Sequence, residues 1–462
     1  MKRSLFLSAA LFAAAALQAQ TSDSTFIRRL SDEILTNGTA YENLRQLTKG
    51  IGPRLSGSPG MVKSEQWGAT ALKAAGADRV WMQECLVPHW VRGGKDLLRA
   101  EHFVSPGGKN RKGSVRNLNV LALGNTKGSG SALRAPVLVV SDFADLDRQK
   151  DSVKGRIVFF NYKFNPRFVH TFEAYRDASV YRSQGPVRAA RYGATAVVVR
   201  SMSHSTDNHP HTGGTAWGDT VKTVPSMALG LRDADWLAAA ASNGTVWATF
   251  KTGGRFLPDT IGHNVIGELR GTEFPDSIIT IGGHLDSWDP AEGAHDDGAG
   301  IVHTIEVLRA FKALGYQPRH TIRFVLFANE ENGLRGGRKY AEEAVAKGEK
   351  HLLALESDAG GFTPRGFGFS GTDAQWEKFR SWQPLVAPYG ASDWKRGGGG
   401  ADIGPLNTAL KTPVVGFIPD SQRYFDVHHA ANDVFELVNK RELELGAVNM
   451  AALIYLVDKY GL

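Results

Sequence analysis

The stretch Ile278–Gly300, IITIGGHLDSWDPAEGAHDDGAG, decides how this chain is read. It opens on Ile278, Ile279, Thr280 and Ile281, a β-branched apolar run suited to a buried strand. Gly282-Gly283 then lets the backbone turn and present His284 and Asp286. A polar loop follows and ends at Asp296-Asp297. Immediately after it, Ile301, Ile305, Leu308 and Phe311 recur at helical spacing within Ile301–Leu314. Imidazole and carboxylate are therefore expected where a strand ends and a helix begins. In open α/β sheets that crevice binds ligands, and the helix dipole there favours an anionic Asp.

Outward from this stretch, strand and helix patterns alternate from Gly262 onward. The strands are expected at Asn264–Leu269, Ser277–Ile281, Thr321–Phe327, His351–Glu356 and Thr412–Phe417, with helices over 298–314, 333–347, 372–387 and 439–459. Such alternation predicts an α/β domain whose mixed, largely parallel sheet carries helices on both faces. Ahead of it, Thr25–Thr36, Tyr41–Thr48 and Lys63–Ala75 read as helices, Gly50–Gly60 as a Gly- and Pro-rich loop, and Arg79–Val87 as a strand. Between about Asn117 and Pro258 the texture changes to short β runs separated by turns. These are Leu118–Leu123, Pro136–Val140, Arg156–Phe160, Ala196–Val199 and Val246–Phe250, with Pro186–Tyr192 as the main helical pattern. The expected organisation is a leader (1–19), a first part of the α/β domain (20–116), an inserted mixed β domain (117–258) and the rest of the α/β domain (259–462).

The 462 residues, 42% hydrophobic and 22% charged, suffice for two cores. Lys2-Arg3 precedes the apolar Leu5–Leu17 and then Gln18-Ala19-Gln20, which reads as a signal peptide cleaved near Ala19. A secreted or periplasmic protein is expected. No run reaches the roughly 18 apolar residues of a membrane span. The net charge of +7 includes Lys2 and Arg3 and contains no basic block, so nucleic acid is not an expected partner. Cys85, the one cysteine, excludes a disulfide within the chain, and its setting in MQECLVPHW predicts a buried small hydrophobe.

Three more strand ends carry chemistry. Thr321–Phe327 runs into Asn329-Glu330-Glu331, His351–Glu356 into Ser357-Asp358, and Thr412–Phe417 into a loop reaching His428-His429. Acids after one strand usually form a solvated turn. Imidazoles and carboxylates repeated at successive strand ends of one sheet point instead to metal. Nitrogen and carboxylate oxygen without thiolate suit zinc or a related divalent ion in hydrolysis. Two adjacent cations repel and need a shared anion, for which Asp296 is the natural bridge. One ion would take His284, Asp296 and Asp358, and the other Asp296, Glu331 and an imidazole of the His428-His429 pair. The three carboxylates leave one positive charge, matching one hydroxide as nucleophile. Glu330, adjacent to a ligand but not one, is the expected general base. Asp286 is the expected acceptor that orients the His284 imidazole.

GGHLDSWD, GAHDDGAG, ANEENG, ESDAGG and YFDVHHAAND resemble the metal motifs of the co-catalytic zinc aminopeptidase family. Gly50–Gly57 (GIGPRLSG), Val87–Gly93 (VPHWVRG), Pro210–Gly213 (PHTG) and the runs AVVVRS and VPSMAL extend the likeness over nearly the whole mature chain. The resemblance implies a zinc-exopeptidase fold, a protease-associated domain as the insert, and two zinc ions per chain. It selects His429, four residues before Asp433, as the ligand, and it implies a cis peptide at Asp296-Asp297. It also implies hydrolysis of short peptides, chiefly dipeptides with free termini, a loop at PHTG reaching over the cleft, and a homodimer. Alternatives are a broader aminopeptidase on longer peptides, a one-metal glutaminyl cyclase, and a non-catalytic binding protein on the same fold. His204, His209 and His211 otherwise read as a surface loop. Arg335, Lys395, Arg396 and Arg423 are candidates to hold a substrate carboxylate, although a solvated position is the more ordinary role for each. Gly397–Ile403 (GGGGADI) is either a mobile loop or brings Asp402 to the substrate pocket.

Overall fold

In the computed structural model, which describes residues 22–104, 111–218, 220 and 222–462, the Ile278–Ile281 run is the middle of a strand, Phe274–His284. Successive side chains there are buried on both faces, as an unbroken apolar run requires of a central strand. The strand belongs to an eight-stranded sheet. Its strands are β1 (Arg79–Val91), β2 (Arg255–Leu269), β3 (Phe274–His284), β4 (His320–Phe327), β5 (Lys350–Glu356), β6 (Pro364–Ser370), β7 (Asp393–Arg396) and β8 (Val414–Pro419). Across the sheet the order is β1-β2-β4-β3-β5-β8-β6-β7. The central β4, β3, β5 and β8 are parallel; β1 pairs antiparallel with β2, β2 with β4 and β6 with β8, while β7 runs parallel to β6. The sheet is mixed with a parallel centre, so four strands deliver their C-terminal ends to one edge.

The sequence reading did not include β6 and β7, because PRGFGFS and DWKR offer no sustained apolar run. Close approach forms this pair: a Cβ on Gly366 would lie 1.5 Å from the Asp393 carbonyl oxygen, so only glycine fits.

Helix Ala299–Ala313 connects β3 to β4, and Arg335–Lys347 connects β4 to β5. The last helix, Lys440–Tyr460, begins at Asn439, whose side-chain oxygen accepts the N–H groups of Arg441 and Glu442. It packs beside Ala299–Ala313, and Ile301, Ile305, Leu308, Phe311, Leu453 and Leu456 are all buried in one core. Burying each such side chain contributes about 1.5–3 kcal/mol. His303 ties three elements together, with Nε2 2.9 Å from Leu443 O and Nδ1 3.0 Å from Ser357 Oγ. Ile27, Leu30 and Ile34, from a helix over residues 22–37, complete that core.

A second eight-stranded sheet lies between β1 and β2 in the chain. Its order is Arg111–Leu118, Leu97–Val104, Thr245–Lys251, Leu133–Val140, Ile157–Phe160, Ala196–Arg200, Ser226–Leu229 and Val120–Ala122. This sheet starts at Leu97, ahead of the expected boundary at 117. Leu97–Val104 pairs antiparallel with Thr245–Lys251 and buries Leu98 and Ala100, while charged residues between them conceal the strand in the sequence. The lobe is also more helical than expected. Besides Gly185–Arg191 it contains Thr171–Ser183 and Leu231–Ser242. Thr171–Ser183 buries mostly small residues, Ala174 and Ala178 beside Tyr181, so its apolar stripe is faint. Phe362, Tyr424 and Phe425 from the first domain join the core of this lobe.

The expected leader, residues 1–19, lies outside the described residues. Among the described residues no helix is long and apolar enough to cross a membrane.

Candidate metal centre

β3 ends at His284, whose main-chain N–H is held by Asp297 Oδ2 at 3.0 Å; Asp297 Oδ1 takes the Gly300 N–H at 3.0 Å. The glycines of this motif are steric requirements. A Cβ on Gly283 would stand 2.4 Å from Asp297 Oδ2, and one on Gly300 1.9 Å from Ser357 O. The Asp296-Asp297 peptide is cis. Asp433 accepts the N–H groups of His295 and Asp296 at 2.8 and 3.1 Å. Arg54 of the Gly50–Gly57 loop is fully buried and donates to the carbonyls of Leu285, Glu292 and Gly293 at 2.5, 2.5 and 2.8 Å. A buried cation and a buried acid therefore fix the loop that carries Asp296.

β4 ends before Glu330-Glu331. Asp286 Oδ1 accepts the Glu330 N–H at 3.0 Å, and Oδ2 accepts the Glu331 N–H at 3.3 Å. His284 Nδ1 lies 3.0 Å from the Asp286 carbonyl and 3.7 Å from its carboxylate. Asp286 thus orients the imidazole through its main chain, and its carboxylate supports the Glu330-Glu331 turn instead. This corrects the expected use of that carboxylate: the Glu330-Glu331 turn presents it with two closer N–H donors. β5 leads to Asp358, and the short helix Tyr424–Val427 after β8 leads to His428 and His429, the latter with φ +61°.

The five side chains expected to hold metal converge. His284 Nε2 lies 3.3 Å from Asp296 Oδ1 and 3.4 Å from Asp358 Oδ1. His429 Nε2 lies 3.2 Å from Asp296 Oδ2 and 3.1 Å from Glu331 Oε2. Asp296 faces both groups with different oxygens. His428 stacks on His429 with ring centroids 3.5 Å apart, and its Nε2 is 3.7 Å from Asp296 Oδ2. Two sets are compact enough to hold an ion, His284/Asp296/Asp358 and Asp296/His428/His429. The imidazole that also reaches Glu331 is that of His429.

The electrostatics point the same way. Burial pushes Glu331 up to about 7, Glu330 well above its ordinary value, and Asp358 upward. Burial also opposes Asp296, but hydrogen bonds from His284 and His429 hold it well below the usual carboxylate range. In the two imidazoles burial is outweighed, at His284 by Asp358 and Asp296 and at His429 by Glu331 and Asp296, so both are raised. Four buried carboxylates face two imidazoles, and such a set needs protons or cations to balance it. Asp296 turns Oδ1 to His284 and Oδ2 to His429, and every donor in the cluster is nitrogen or carboxylate oxygen. These residues fit zinc. Cys85 is not part of this set: it is buried, its Sγ lies 3.6 Å from Gly262 O, and burial pushes its thiol up to about 12.

A cavity of about 210 Å³ opens onto Asp296, Glu330, Glu331, Asp358, His428 and His429, with Tyr424 beside them. The second lobe closes it with Phe172, Tyr175, Arg182 and Gly214. The PHTG loop does reach this site. The Thr212 N–H donates to the His429 carbonyl at 2.9 Å, and the Thr212 carbonyl faces His429 Nδ1 at 3.3 Å, leaving Nε2 directed at the carboxylates. His211 is buried nearby and pushed down to about 4 by burial. His204 packs its ring on Phe164 instead.

None of the basic candidates lines the cavity. Arg335 sits in a separate groove beside Glu84 and Cys85, Arg396 pairs with Asp373, Arg423 lies over Phe362, and Lys395 is exposed. Asp402 is fully buried, with both carboxylate oxygens lacking a partner among the described residues, and it too lies outside the cavity lining. Asp297, Asp433, Arg54 and Arg182 were not singled out as functional. A signal existed for Arg54, a lone charge in a Gly-Pro loop, and for Asp297, adjacent to the bridge. Arg182 lies in an unremarkable helix 114 residues before Asp296 and had none.

Residues 264–454 match the family model described as Peptidase family M28. Carboxypeptidase Q of Homo sapiens is 31% identical over 422 residues, which are 90% of this chain and 85% of the human protein. The Bos taurus carboxypeptidase Q is 30% identical with the same coverage. Among solved structures, the Peptidase M28 precursor from Shewanella amazonensis SB2B is similar with a TM-score of 0.87 and 30% identity, over 95% of this chain and 97% of that one. BSAP, a zinc aminopeptidase from Bacillus subtilis, shares the fold with a TM-score of 0.62 at 21% identity, over 90% and 93% of the two chains.

Proposed function

The chain is a metallopeptidase of family M28, related to carboxypeptidase Q along most of its length, and from that premise we propose that it is an exported di-zinc exopeptidase of short peptides. Dipeptides with free termini are its main substrates, and the lobe between β1 and β2 is its protease-associated domain. The observation that carries this reading is Asp296, which offers one oxygen to His284 and the other to His429. A carboxylate shared in that way suits a bridge between two ions. The leader pattern of residues 1–19 supports export.

We assign His284, Asp296 and Asp358 to one zinc, and His429, Asp296 and Glu331 to the other. Bound there, zinc would supply a Lewis acid for the scissile carbonyl and ease deprotonation of the attacking water. Glu330 takes up that proton on its carboxylate and returns it to the leaving amine. Its burial and the neighbouring carboxylates raise its proton affinity above that of an ordinary carboxylate. Asp286 fixes Glu330 through its main-chain N–H. Phe172, Tyr175 and Tyr424 exclude bulk water, which strengthens every charge interaction inside the cavity.

The small cavity roofed by the second lobe supports short substrates over long ones. The test compares kcat/KM for a dipeptide, its tripeptide and pentapeptide extensions, and its end-blocked forms, with zinc content measured in parallel. Dipeptides should lead by at least about tenfold. Equal turnover of the pentapeptide would favour a general aminopeptidase.

A further inference from the structure

We infer that Arg182 anchors the free C-terminal carboxylate of the substrate; this rests on the peptidase reading of the cavity. Arg182 projects from helix Thr171–Ser183 of the second lobe into the same cavity as Glu330, Asp358 and His429. It is buried, 9% exposed, yet no ion pair joins it to a carboxylate among the described residues. Its hydrogen bonds go to neutral groups: Nη1 to the Thr212 carbonyl at 3.3 Å, and Nη2 to the Tyr175 hydroxyl at 2.5 Å. Nε is buried and has no hydrogen-bond partner among the described residues. A buried guanidinium with no counter-anion is costly, and it is stabilised when a ligand supplies one.

The group is also held rigid. Its Cζ lies 5.3 Å from the Tyr175 ring centroid, and the Gly213 backbone lies so close that a Cβ there would be 2.5 Å from Cζ. Gly213 has φ +128°, which glycine adopts without strain. The fork is planar and fixed, and each Nη carries a second N–H beyond the one it donates to Thr212 or Tyr175, which matches a carboxylate that accepts two N–H bonds. The other candidate cations, Arg335, Lys395, Arg396 and Arg423, lie outside the lining of this cavity. A dipeptide places its terminal carboxylate one residue beyond the scissile bond. A longer peptide offers a neutral amide at that point, leaving the guanidinium unpaired. The second lobe would thus select substrate length, and the first domain cut.

The experiment measures kcat and KM on a dipeptide and on the same dipeptide as its C-terminal amide. The proteins are the zinc-loaded wild type, Arg182→Met and Arg182→Lys, with zinc content determined for each. The wild type should prefer the free acid. Arg182→Met should lose about 10- to 100-fold in kcat/KM on the acid, mostly through KM. Its turnover of the amide and its zinc content should stay near wild type, and Arg182→Lys should recover part of the loss. Equal losses on both substrates would make Arg182 a structural residue and overturn the inference. Should the variants fail to fold, the wild type decides alone, since cleavage of acid and amide at equal rates also overturns it. Wild-type protein that cleaves neither form contradicts the dipeptidase reading itself.

Discussion

Glu330 and Glu331 are neighbours in sequence with different tasks. Glu331 Oε2 is 3.1 Å from His429 Nε2, and its Oε1 accepts the Trp288 N–H at 3.2 Å. The Glu330 carboxylate lines the cavity and is free to move a proton. Glu330→Gln should therefore lower kcat by about 10²–10⁴-fold while both zinc equivalents remain, measured by initial rates and elemental analysis. Loss of one zinc would instead make Glu330 a ligand. Cys85 offers an independent check on burial. With its thiol pushed up to about 12, it should react with a thiol reagent at pH 8 only after denaturation. Rapid labelling of native protein would contradict the packing of β1 on β2. At this scale much of the candidate site was legible in the sequence, because His284, Glu331, Asp358 and His429 come after apolar strand patterns and Asp296 stands just before a helical one. Arg182 was not, since a buried guanidinium bonded to one carbonyl and one hydroxyl leaves no periodic trace.

Among elements, the β3–loop–helix unit was legible because its glycines, acids and apolar runs all agree. β6, β7 and helix Thr171–Ser183 were not, because glycine-dependent approach and small-residue packing carry little hydrophobic signal. The helix Ala299–Ala313 depends on His303, which is buried between Ser357 and Leu443 and pushed down to about 4 by burial. Its folded value lies below the unfolded value near 6.5, so the unfolded chain binds the extra proton between them. Its contribution is complete above pH 6.5 and is lost as pH falls toward 4, by roughly 2–3 kcal/mol. Urea unfolding of His303→Gln at pH 7 and pH 5 should show a weaker pH dependence than wild type. An unchanged dependence would mean that His303 binds protons alike in the folded and unfolded chains.

For the whole molecule, the second lobe is part of the site, not an appendage. Its Thr212 carbonyl faces His429 Nδ1, and its Thr212 hydroxyl donates to Ala122 O at 2.8 Å. Composition pointed to an insertion, but charged residues concealed the strand Leu97–Val104, so the lobe reaches further back than the β-rich texture suggested. That this lobe would bring Arg182, Tyr175 and Phe172 to the metal cluster depends on long-range packing, which no local pattern encodes. Thr212→Val keeps the carbonyl that faces His429 and removes only the hydroxyl bond to Ala122 O, so it should cost about 1–3 kcal/mol in urea unfolding while both zinc equivalents remain; loss of zinc would mean that the loop itself has moved. The most direct test of the two-ion centre is anomalous scattering at the zinc edge from crystals of the purified protein. The account expects two peaks sharing Asp296, one against His284 and Asp358 and the other against His429 and Glu331; a single peak, or zinc away from Asp296, would contradict it.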